Sequence, residues 1–354
     1  MIPERPRLIG IHKMQCANRR TRRIWQRAAP LAGGLLLAML QQAAHGQELL
    51  LMGGAHTNPP IHGDDDRSAV YAYSYQQNLT DNWYATYTYL NEGHVSGHHR
   101  DGHSAQLWWR WLTPGRQLAL SVGAGPYLFF DTTEAQDDGS YRNHHGVALQ
   151  ASAAATWYVS GGPWMVQARF NRTQAWSSFS SNTALLGVGY QLDHGRRDGP
   201  FIAGTRTTAL TGDELTVFLG ARIVNSFESE TGFAAAAEYR HGFWRGVEGT
   251  ISYFSESSSD LVQRRGVAAQ AWLNGGFFDD RLTLGVGAGP YYATTLHVRG
   301  PDAEASPSRW SALLTLSASY RLSSHWLGRM SWNRVMTGYD RDADLFLAGV
   351  GYRF

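Results

Sequence analysis

Val122-Gly123-Ala124-Gly125-Pro126-Tyr127 returns, residue type for residue type, as Val286-Gly287-Ala288-Gly289-Pro290-Tyr291. A six-residue identity within 354 residues points to duplication of a larger unit, and the flanks carry it outward at a constant offset of 164. Tyr75 meets Tyr239, Glu92 meets Glu256, Gly102 meets Gly266, Gln106 meets Gln270 and Trp108 meets Trp272. Further on the offset slips to 162, where Trp164 meets Trp326, Asn171-Arg172 meets Asn333-Arg334, and Gly187-Val188-Gly189-Tyr190 meets Gly349-Val350-Gly351-Tyr352. The chain reads as two copies, 47–192 and 214–354, joined by a polar linker, 193–213.

Within each copy the apolar pattern has period two. Trp83, Ala85, Tyr87 and Tyr89 share one side of a run whose other side is Tyr84, Thr86, Thr88 and Leu90, the alternation of a strand. Such runs predict eight strands near 48–57, 68–77, 83–93, 103–112, 117–131, 145–158, 164–174 and 181–192. Eight more follow near 214–226, 232–240, 246–256, 264–274, 282–298, 308–321, 326–336 and 344–354. The joins 78–82, 113–116 and 160–163 are short, whereas 58–67, 94–102, 132–144 and 174–180 are long and polar. Strands of about 10 residues, with short turns at one end and long loops at the other, are the signature of an antiparallel transmembrane β-barrel. Apolar Phe346, Ala348, Val350 and Tyr352 alternate with Leu347, Gly349, Gly351 and Arg353, so one face suits lipid and the other a lumen. Trp83, Trp109, Trp111, Trp157, Trp164, Trp244 and Trp326 gather at strand ends, as interfacial girdles do.

Sixteen strands from a duplication can close as two eight-stranded barrels with filled interiors, or as one sixteen-stranded barrel around a water channel. Inward Trp108 and Trp272 beside inward glycines such as Gly123, Gly187, Gly287 and Gly349 fit narrow, packed interiors. The linker is also longer than the short turn that a single barrel would need between its eighth and ninth strands. Two barrels are therefore the expectation, and one large barrel the alternative.

The last strand, Ala348-Gly349-Val350-Gly351-Tyr352-Arg353-Phe354, ends on an aromatic with apolar residues alternating back from it. It resembles the C-terminal assembly signal of Gram-negative outer-membrane β-barrel proteins. The resemblance implies an outer-membrane location, contact with membrane lipid and lipopolysaccharide, and the barrel assembly machinery as a partner. The other end agrees, since the first 46 residues hold eight Lys and Arg against Glu4 alone, then an apolar run, Ala28 to Leu40, and small Ala44 and Gly46. That is the layout of a cleaved secretory signal peptide, with the cut expected before Gln47. The only cysteine, Cys16, lies in this leader, so the remainder has no disulfide or thiolate chemistry. The leader carries +7 of a total of +2, leaving an acidic remainder that argues against nucleic-acid binding.

Chemistry is sparser. Lipid A deacylases look like small barrels with a His-x-Ser pair on the penultimate strand, but the matching positions here read Asn171-Arg172-Thr173 and Asn333-Arg334-Val335. A hydroxyl with no neighbouring base is not an activated nucleophile, so no enzyme is expected and no catalytic residue is assigned. By parity Asn171 and Asn333 face the lumen, while Arg172 and Arg334 face out at the loop-end rim, where a guanidinium suits lipopolysaccharide phosphates. Glu92, Gln106, Glu256 and Gln270 face the lumen, the glutamates expected to pair with Arg169 and Arg329. The first copy alone has a histidine group, His94, His98, His99, His103, His144 and His145, whose imidazoles are candidate metal ligands on adaptable loops. No cofactor is implied. The sequence thus suggests a non-enzymatic barrel protein displaying loops, to bind envelope glycans or assist export or assembly, with a porin-like channel as the alternative.

Overall fold

The computed structural model describes residues 46–57, 67–95, 97–133, 140–192, 198–202, 212–226, 229–278, 280–300, 303 and 306–354. The leader and most of the linker lie outside them. The first copy forms β1 (Gln47–Thr57), β2 (Arg67–Asn78), β3 (Trp83–Val95), β4 (His98–Leu112), β5 (Leu118–Thr133), β6 (Arg142–Tyr158), β7 (Trp164–Gln174) and β8 (Ser181–Gln191). The second forms β9 (Glu214–Val224), β10 (Thr231–Trp244), β11 (Val247–Glu256), β12 (Val262–Phe277), β13 (Leu282–Val298), β14 (Trp310–Arg321), β15 (Trp326–Met336) and β16 (Ala343–Arg353).

Each set of eight closes on itself. β8 returns to β1, with Val188 opposite Leu51, and β16 returns to β9, with Val350 opposite Val217. The molecule is two closed antiparallel eight-stranded barrels. The single sixteen-stranded barrel is overturned, because the backbone groups it would need between β8 and β9 already close each copy.

Side chains alternate along the walls that face away from the other barrel. In β7, Trp164, Val166, Ala168 and Phe170 are exposed while Met165, Gln167, Arg169 and Asn171 are buried. The outward set, including Val122, Leu186, Leu219, Ile251 and Val350, covers both barrels in apolar surface. The inward set fills them. Trp108 is fully buried over Gly123 and Trp272 over Gly287, and a Cβ on either glycine would collide with the indole, so the two repeated hexapeptides supply a shelf that only glycine can make. Both indoles are fixed alike: Trp108 Nε1 donates to Thr86 Oγ1 and Trp272 Nε1 to Thr250 Oγ1, each at 2.9 Å.

The structure corrects the loops of the first copy. The stretch 94–102, expected as a long loop, is a tight hairpin, because β3 runs to Val95 and β4 begins at His98, with His94 opposite His99. β5 and β6 likewise extend to Thr133 and from Arg142. Polar composition at these positions marks strand that projects beyond the apolar belt, not loop. Linker residues 198–202 are held beneath the first barrel, where Arg116 Nε donates to the Asp198 carbonyl at 3.2 Å and Asn78 Nδ2 to that of Phe201 at 3.4 Å.

Candidate functional site: plugged lumens and the seam between barrels

The loop end of each lumen is crossed by the same buried ion pair. Arg100 Nε lies 2.5 Å from Glu92, and Arg264 Nε lies 2.7 Å from Glu256. These pairs replace the ones expected from sequence, since Arg169 and Arg329 sit too far toward the short-turn end. In the first barrel Ser181 donates to Glu92 and the Phe179 ring covers the Arg100 guanidinium at 3.7 Å. In the second, Arg264 Nη1 donates to the Tyr339 hydroxyl at 3.1 Å.

The middle of each lumen is a neutral hydrogen-bonded ring. Gln106 donates to Ser152, Ser152 to Asn171 and Asn171 to Thr183; the second copy repeats this with Gln270, Thr315 and Asn333. The short-turn end is charged again. Glu48 accepts from Gln76 and Asn78 beside Arg110 and Tyr158 in the first barrel. In the second, Arg240 bridges Glu238 and Glu248, while Arg329 pairs with Glu214 at 2.7 Å. Sequence reasoning missed Glu48, Glu214, Glu238 and Glu248, although each lies on the inward parity of its strand.

The rim arginines part company. Arg172 is exposed, hydrogen-bonded to neutral Asn182 and Gln174. Arg334 does not face lipopolysaccharide: it is buried in a seam between the barrels. Its Nη2 pairs with Asp101 of the first barrel, its Nε lies 3.1 Å from Asp344, and its guanidinium covers the Phe130 ring at 4.7 Å. The outward parity was right, but outward from the second barrel here means into the first. Tyr89 stands edge-on to Trp332 at 4.4 Å, Tyr89 donates to Asp101, and Trp332 donates to Asp344. Beside this, His145 Nε2 meets Asp342 at 2.5 Å, Arg142 meets Asp340 at 3.0 Å, and Asn143 binds both Asp340 and the Asn225 carbonyl. Asp342 lies between β15 and β16; burial acts to raise its carboxyl, yet the His145 charge and hydrogen bond hold it below the ordinary value.

The histidines do not assemble as a metal site, and among the described residues no group of three or more His, Cys, Asp or Glu side chains does. They are dispersed along strands, two of them stacked on each other and the rest apart. His94 stacks on His99, His98 meets Asp131 at 3.0 Å, His103 meets the Tyr87 hydroxyl at 3.0 Å, His145 serves the seam, and His144 is exposed. Ser178 comes near His98 through a shared acid, but its hydroxyl donates to Asp131 and not to the imidazole. A serine nucleophile needs its proton taken by the base, so this order does not activate it.

No family model and no curated protein matches the chain. Solved structures do. The N-terminal β-barrel domain of Pseudomonas aeruginosa OprF is 20% identical, with 42% of this chain and 99% of that one covered at a TM-score of 0.35. Neisserial surface protein A is 12% identical over 43% of this chain and 99% of its own, also at 0.35. The CymD monoaromatic hydrocarbon channel is 10% identical over 91% of this chain and 93% of its own, at 0.24.

Proposed function

We propose that this chain is a non-conducting, non-enzymatic outer-membrane protein whose two plugged barrels form one platform displaying loops to the outside, where they bind envelope glycans. The single observation that carries the reading is the filling of both lumens: a buried ion pair, a neutral ring and a second charged layer, with a buried tryptophan across the middle. A lumen so plugged offers no water-filled path, which separates it from wide porins. Membrane placement is supported by the exterior. Each Val, Leu or Ile side chain left in water forgoes about 1.5–3 kcal/mol, and both barrels carry rings of such exposed side chains. Strands of 10 to 17 residues are long enough to cross tilted. At the loop-end rim the exposed Arg172 guanidinium is placed to take an anionic glycan or lipid phosphate.

The test is electrical. The mature protein, folded in detergent and heat-modifiable on gels, is expected to insert into a planar bilayer without raising its conductance. Steady nanosiemens steps from such preparations would establish a channel and overturn the reading.

A further inference from the structure

The two barrels meet at their ends and stay apart between them. At the loop end the Asp101–Arg334–Asp344 cluster and the Tyr89–Trp332 contact join them. Toward the short-turn end a second aromatic pair, Tyr75 and Phe277, stands edge-on with centroids 6.4 Å apart. Between these props lies a crevice of about 640 Å³, walled by Tyr73 and Tyr87 on one side and by Leu219, Leu316, Met330 and Phe346 on the other. Leu219 is 60% exposed and Met330 67%, so the opposed walls do not seal it.

We propose that this crevice is a built lipid site, holding acyl chain of a phospholipid taken from the leaflet at the short-turn end. It rests on the membrane placement proposed above. The volume is roughly four times that of the ~150 Å³ apolar cavity that takes a benzene ring, which gives room for hydrocarbon and for no folded segment. The walls offer water too few partners to hold it. Of what a membrane supplies, only acyl chain matches both shape and polarity. The source follows from charge: the loop end is closed by buried Arg334, which two carboxylates already neutralise, so that guanidinium is not offered to a lipid A phosphate. The wall residues continue without a break into the exposed apolar belt, so a chain enters sideways from the bilayer core.

The experiment is native mass spectrometry of the full-length mature protein purified in detergent, with extracted lipids identified alongside. Wild type is expected to retain phospholipid in stoichiometric amount. Ala348→Trp, which fills the crevice, should lower retention by about tenfold, the factor that ~1.4 kcal/mol of lost binding sets. The control is Leu186→Trp, at the matched position on the free face of the first barrel, and it should retain lipid as wild type does. Absence of lipid from heat-modifiable wild type, equal retention by Ala348→Trp, or lipopolysaccharide in place of phospholipid overturns the proposal. Protein that never fractionates with membranes instead defeats the placement, so the two failures are distinct.

Discussion

The two barrels share one shelf and charge it from opposite sides. In both, tryptophan lies over glycine and donates to threonine, and in both a guanidinium covers the indole, Arg169 at 5.1 Å from Trp108 and Arg240 at 4.1 Å from Trp272. The arginines are not counterparts. Arg169 aligns with Ser331, whereas Arg240 aligns with Gln76. Arg240 is held by Glu238 and Glu248, which stand where the first barrel has Ser74 and Tyr84. Arg169 has only Gln167, with Thr88 and Ser74 at the limit of hydrogen bonding. The two copies share the close-packed element, where any added atom collides, and differ in the electrostatics around it.

The largest effect should expose that difference. Arg240→Met leaves two buried carboxylates without their cation, a loss of about 3–5 kcal/mol, whereas Arg169→Met removes a buried cation with no acid partner and should be neutral or stabilising. Urea titration of the folded, fast-migrating band would measure both. Equal losses would mean that the cation over the indole, and not its ion pairs, sets the stability.

A second contrast lies at the rim. Arg334 holds the first barrel through Asp101, while its counterpart Arg172 is exposed; Asp101 in turn aligns with Arg265, and Asp344 with Asn182. The residues that join the barrels are therefore absent from the matched positions on their free faces. Asp101→Arg, which installs the second copy's own residue, should part the barrels at the loop end while each stays folded. Asp101→Arg with Arg334→Asp should bring them back, the recovery giving the coupling. Arg172→Met should change little, since Arg172 is exposed with neutral partners and surface substitutions of that kind stay within about 0.5 kcal/mol. Cys16 is the only cysteine, so spin labels at His144→Cys and Ser308→Cys in a chain without it would report the separation. An unchanged distance in Asp101→Arg would show that the seam is not what holds the barrels together.

Much of this was legible in advance. Period-two alternation and the repeated hexapeptide gave the strands, their faces and the inward tryptophans, because lipid outside and close packing inside constrain every second residue. The joins were less legible: polar strand ends such as 98–102 carry no apolar alternation once they leave the bilayer, and so resemble loops. Partners were least legible. Parity says which way Glu92 points but not how high it stands, so it names Arg169 as a partner and leaves out Arg100, which lies only eight residues away across a hairpin. The seam was invisible to alternation, since a residue facing another barrel and a residue facing lipid share the same parity. Its trace was the mismatch between copies at Asp101 and Arg265, a signal present in the alignment that built the fold.

The smallest expected effect tests whether the seam's outer edge adds to its centre. Asp342 sits between β15 and β16 and is bound by His145 of the first barrel. Its carboxyl is held below the ordinary 3.8, burial notwithstanding, by that imidazole and by the Thr337 backbone N–H. A depressed folded-state value means that the carboxylate contributes stability fully above the unfolded value and loses it as pH falls through the folded one. The part of the widening between labels at His144→Cys and Ser308→Cys that Asp342 causes should therefore set in only below 3.8. Asp342→Asn should remove this acid-side widening while leaving the neutral-pH distance near that of wild type, because Asp101, Arg334 and Asp344 still join the barrels. Widening that persists in Asp342→Asn would assign the acid sensitivity to Asp101 or Asp344, and so to the centre of the seam and not its edge.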